Sequence, residues 1–97
     1  MTHKMFAVRD SKTEFFTIPM SSKCERDAVR TFEMACNDSK TMMWQYPEDY
    51  DLYEIGDYDD NTGKFHCLDT PRHVIKAVQL RKEEKTNAPS YEDAIKR

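Results

Sequence analysis

The spacing of apolar residues changes from period two to helical within the first 36 positions. In KMFAVR, residues 4–9, Phe6 and Val8 share one side of an alternating pattern, and EFFTI, residues 14–18, is rich in strand-forming side chains. Between them, DSKT at 10–13 supplies Asp and Ser groups that hydrogen-bond the backbone of a turn, so a hairpin is expected. Then Cys24, Ala28, Val29, Phe32, Ala35 and Cys36 fall into one arc at about 100° per residue, with Lys23, Arg26 and Arg30 opposite. Ser22 and Glu25 stand at capping-box spacing, and Asn37 suits a left-handed C-terminal cap. An amphipathic helix over 23–36 follows from this pattern.

Periodicity then lapses. DSKTMMWQYPED, residues 38–49, contains Pro47 and reads as a loop with Met42, Met43, Trp44 and Tyr46 tucked beneath it. DLYEIGD and KFHCL flank DYDDNTG, so Tyr53, Ile55, Phe65 and Cys67 are expected to meet across a second hairpin, with Gly63 supplying a positive φ. HVIKAVQL fits a strand as well as a helix, but Thr70 followed by Pro71 is helix-start chemistry, and a helix near 71–82 is preferred. The fold class expected is α+β: an antiparallel sheet of two β-hairpins packed on the amphipathic helix, in ββαββ order with a second helix after it. A single domain would occupy 1–82 and a charged, mobile tail 83–97.

With 97 residues, 38% apolar and 34% charged, the chain supports one modest core. No apolar run approaches a membrane span or a secretory signal, so a soluble, cytosolic protein without a membrane partner is expected. Cys24, Cys36 and Cys67 lack CxxC spacing and read as buried free thiols. Net charge is −3, distributed as +2 over 1–30, −8 over 31–70 and +3 over 71–97. Such a molecule can offer one face to an anion and another to a basic partner.

The acidic turn fails as a calcium loop. Counted from Asp57, Thr62 replaces the required Gly and Leu68 the bidentate Glu. Asp57, Asp59 and Asp60 on an exposed turn stay ionised, which suits a protein contact better than acid–base chemistry. His66 and Cys67 point to opposite faces of a strand, and His73 completes no ligand set. Gly56 and Gly63 are the only glycines, too few for a phosphate-cradling loop. No catalytic residue, metal or cofactor is therefore expected, and the chain reads as a non-enzyme. Lys23, Arg26 and Arg30, with Arg81, Lys82 and Lys85, are suited to neutralise phosphates, and Trp44 or Tyr46 to stack on an unpaired base. The plainer alternative is a Lys23–Asp27 surface ion pair and a Trp44 that belongs to the core.

FAVRDSKTEFF, the helix after it and YPEDYDLYEIGDYDDNTGKF resemble the small nonstructural protein of gokushovirus-type microviruses, bacteriophages with single-stranded DNA genomes. The resemblance covers roughly residues 5–68. It implies a role in viral DNA replication in the host bacterial cytoplasm, by DNA binding that favours the switch to single-stranded genome synthesis. It brings no catalytic residues. Single-stranded DNA is thus the first expected partner. A viral or host replication protein met through Asp57, Asp59 and Asp60 is the alternative, and the small core favours a homodimer.

Overall fold

A computed structural model describes residues 1–82; the expected tail 83–97, Lys85 included, lies outside the described residues. In chain order these form β1 (Thr2–Asp10), β2 (Phe15–Phe16), β3 (Met20–Ser22), α1 (Glu25–Cys36), α2 (Met42–Gln45), a 3-10 turn (Pro47–Asp49), β4 (Tyr50–Asp59), β5 (Lys64–Lys76) and α3 (Ala77–Leu80). All pairings are antiparallel. β1 and β4 are central, β5 lies outside β4, and β2 and β3 share the other side of β1. The α+β class holds, but the ββαββ order gives way to three strands before α1 and, among the described residues, two four-residue helices besides α1.

The first hairpin forms where expected. Its turn is held by the Asp10 carboxylate, which accepts the Lys12 N–H at 2.9 Å, and Glu14 takes φ 66°. The returning chain pairs Phe16 with Arg9, and Thr17 clamps Val8 by exchanging two hydrogen bonds with its backbone. Pairing lapses around Pro19, which has no N–H to give, and resumes as β3. β3 takes up Ser22, so the capping box is not made. α1 starts at Glu25 behind Cys24, which offers no side-chain cap. Asn37 is not left-handed either, with φ −105° and ψ 8°.

Cross-strand partners share a sheet face, so the register sorts the side chains. Phe6, Glu54 and Arg72 stand abreast on the inner face, as do Val8, Leu52 and Ile75. Against them α1 sets Ala28, Phe32 and Cys36, which are buried with Phe6, Val8, Leu52 and Ala77 in one cluster. Residues 71–76, expected in a helix, continue β5, and only Ala77–Leu80 turn helical. The β4 ladder and the β-branched Val74 and Ile75 outweigh the local signal of Thr70–Pro71. Cys67 and Cys24, expected in the core, are exposed. Cys67 pairs with Gly56, outside the core cluster, and Cys24 precedes the helix rather than lying on its apolar arc.

Candidate nucleic-acid interface

The solvent face of α1 carries the expected cations. Arg26 and Arg30 lie one turn apart, about 6 Å along the axis, with Lys23 just ahead of the helix. All three are exposed, and none forms an ion pair among the described residues. The expected Lys23–Asp27 pair is absent, because Lys23 never joins the helix that would set the i, i+4 spacing. Glu25 turns the other way and binds Arg72 at 2.5 Å. Cations at a helix N-terminus oppose its macrodipole, so Lys23 and Arg26 do not serve the stability of α1.

Trp44, Arg81 and Lys82 gather at the opposite end of the helix. Thr41 caps α2 by accepting the Trp44 N–H at 3.2 Å, and its own hydroxyl donates to the Ala35 carbonyl at 2.6 Å. This fixes Trp44 beside the end of α1. The Arg81 guanidinium lies 4.4 Å from the Trp44 ring centroid, and its Nε donates to the Trp44 carbonyl at 3.0 Å. One indole face is thereby covered. Lys82 Nζ lies 3.8 Å from Glu33. The structure thus separates the expected basic residues into an unpaired group around the start of α1 and a second group engaged with Trp44 and Glu33.

The acidic turn is partly used within the chain. Asp60 binds the N-terminal ammonium at 3.0 Å and His3 Nε2 at 2.8 Å; these hydrogen bonds, His3 foremost, hold its carboxyl below the usual aspartate range. Asp59 accepts the Asn61 N–H at 2.9 Å, and Gly63 takes the expected positive φ, 73°. Asp57 pairs with Lys4 and His66 in the strand register.

The outer face of the sheet brings together residues that the sequence pattern does not group. Arg9, Asp51 and Lys76 stand abreast on it, as do Ala7, Tyr53 and His73, and Phe16 is opposite Arg9. The Tyr53 ring meets Phe16 at 5.4 Å and His73 at 5.3 Å between centroids, both edge to face. Asp51 accepts from His73 Nε2 at 2.6 Å and from Lys76 Nζ at 3.4 Å. A cleft of about 240 Å³ opens beside Tyr53, lined by Arg9, Ser11, Glu48, Asp51 and Lys76. Alternation in β1 marks Ala7 and Arg9 as outward, but the strand order that brings Phe16, Tyr53 and His73 into one row is not written in any one segment.

Among the described residues no three His, Cys, Asp or Glu side chains gather as a metal group, and no helix is long and apolar enough to cross a membrane. Burial pushes the Cys36 thiol up to about 11, which leaves it protonated packing. No curated protein and no solved structure matches the chain. The family described as Phage ORF5 protein has a model that matches residues 3–80, most of the chain and nearly all of the described fold, and the chain belongs to that family.

Proposed function

We propose that this phage ORF5 protein is the small nonstructural protein of a gokushovirus-type microvirus and acts, without catalysis, in viral DNA replication in the host bacterial cytoplasm. It binds single-stranded DNA and favours the switch to single-stranded genome synthesis, as a homodimer. The observation that carries this reading is the unpaired cationic face of α1. Lys23, Arg26 and Arg30 are exposed and unengaged by carboxylates among the described residues, and Lys23 and Arg26 stand where they oppose the helix dipole. Phosphates are the natural counter-charge for such a group. Arg81 and Lys82 extend positive charge to the other end of α1. Capture of a basic partner by Asp57, Asp59 and Asp60 draws less support, since Asp60 is already paired with the N-terminal ammonium and hydrogen-bonded to His3.

The test is fluorescence anisotropy with labelled single- and double-stranded oligonucleotides across a salt series. Affinity for single strands is expected to fall steeply with salt, and Arg26→Glu or Arg30→Glu to weaken it about tenfold at low ionic strength. Both side chains are exposed, so the melting temperature should stay near that of wild type. Absence of salt-dependent binding by the wild-type chain at low ionic strength would sink the reading.

A further inference from the structure

We propose that the outer face of the sheet is a base-stacking site for single-stranded DNA, built from Phe16, Tyr53 and His73 with Arg9 and Lys76 beside them; this rests on the DNA-binding reading above and adds a second surface to it. The three rings form a row across the sheet, from β2 over β1 and β4 to β5, with centroid spacings of 5.4 and 5.3 Å. Ala7, 1% exposed, is the β1 residue abreast of Tyr53, and its small side chain leaves room for the rings of β2 and β4 to meet above that strand. The core cluster that α1 covers lies against the other face, and Phe16 is 42% exposed. Aromatic rings displayed on a sheet hold unpaired bases whatever their sequence, because every base has a π face.

The charges around the row select the occupant. Arg9 lies 5.9 Å from the Phe16 centroid and has no ion pair among the described residues; Lys76 shares Asp51 with His73. These cations suit phosphates, while Asp51, Glu48 and Ser11 in the same cleft can accept from base amino groups. A second copy of the chain seated here would instead bury several charges, at a desolvation cost that an apolar interface does not recover. A nucleotide offers counter-charge and a ring together.

α1 and this row lie on opposite sides of the sheet, so the two contributions separate by their salt dependence. Phosphate neutralisation sets the slope of affinity against salt, whereas stacking is nearly insensitive to it. Binding of the full-length chain to labelled oligothymidylate is measured by anisotropy across the salt series for wild type, Tyr53→Leu, Phe16→Leu and Arg26→Glu, with melting curves to confirm folding. Tyr53→Leu and Phe16→Leu are each expected to lower affinity about tenfold at every salt concentration with the slope unchanged. Arg26→Glu should flatten the slope by about one contact's worth. Phe16 is the more exposed of the pair and reports on the row if Tyr53→Leu does not fold. Folded ring variants that bind like wild type while Arg26→Glu binds weakly overturn the stacking site and leave the helix reading standing. A wild-type chain that binds no single strand at low salt overturns both. Conversion of a dimer to a monomer by either ring variant, seen by light scattering, assigns the row to a second copy and overturns it too.

Discussion

Glu54 joins the two layers of the molecule. It stands beside Phe6 on the inner face, only 8% exposed, and takes two hydrogen bonds from Arg72, at 3.0 and 2.6 Å. The same guanidinium reaches Glu25 on α1, and Lys4 Nζ lies 3.5 Å from the second Glu54 oxygen. Arg72, and Lys4 after it, hold this carboxyl below the usual glutamate range against the opposing effect of burial. A carboxylate depressed in the folded state stabilises the fold above its unfolded value of about 4.3, and that contribution is lost as pH falls through the folded value. Thermal melts from pH 7 to 3 should therefore show the melting temperature of wild type dropping below about pH 4.5, and Glu54→Gln, less stable at pH 7 by about 1–2 kcal/mol, should drop less. Asp10 and Asp60 are depressed as well, by the Lys12 backbone N–H and by His3 respectively, so some acid sensitivity should survive the substitution. Gly56 is equally constrained. An added Cβ would lie 2.7 Å from Cα of Cys67 and closer still to the His66 carbonyl oxygen, both parts of the neighbouring strand. Gly56→Ala should cost about 2–4 kcal/mol in urea unfolding, because backbone rather than a flexible side chain must give way. Neither role is legible in the letters. EIGDYDDNTG marks a turn, and it does so through Gly63, whereas the demand on Gly56 arises from a strand eleven residues further on.

α1 was the element most legible in the sequence, since its apolar arc is complete within twelve residues. Its ends were not. Ser22 satisfies both a capping-box pattern and a strand, and pairing with Lys4 decides for the strand. The C-terminal end is closed by a contact 43 residues away in sequence. The Asn37 side-chain N–H group donates to Glu33 O at 2.9 Å and to Leu80 O at 3.1 Å, and its oxygen accepts the Lys82 N–H at 2.7 Å. A left-handed cap would satisfy α1 alone; this arrangement also ties α3 to the helix. Asn37→Ala should lower stability by about 1–2 kcal/mol and release the Lys82 amide to solvent hydrogen exchange, with the β1–β4 amides keeping their protection. If Lys82 exchanges no faster in the variant, the tie is incidental. β5 shows the converse limit of local reading, because Thr70–Pro71 states a helix start that the β4 ladder overrides across the next five residues.

At the scale of the whole described fold, the helical layer is shorter than the sheet. α1 spans about 18 Å and β4 about 33 Å, so the end of the sheet formed by residues 2–5, 56–59 and 64–67 lies beyond the core cluster. A register shift opposite Met5 and Phe6 places Ile55 as an extra residue, and counting through β1 puts Tyr58 on the same outer face as Tyr53 despite an odd spacing. There Tyr58 packs on Phe65 with centroids 4.8 Å apart, beside Met5 and Cys67. Phe65 is 58% exposed, and the outer edge of β5 pairs with no strand among the described residues. An apolar patch continuous with an open strand edge suits a second copy of the chain, which would cover both at once. This part of the surface lacks Arg9 and Lys76, so on the reading proposed above the two ends of one sheet face would divide between protein and DNA. Wild type is accordingly expected to run as a dimer in light scattering at micromolar concentration. Phe65→Glu should shift it to a monomer, since two introduced carboxylates would meet across a two-fold interface. The inner core does not include Phe65, so the variant should keep its far-UV circular dichroism. A monomeric wild type, or a Phe65→Glu chain that stays dimeric, would place the subunit contact elsewhere and leave the exposed end of the sheet without an occupant.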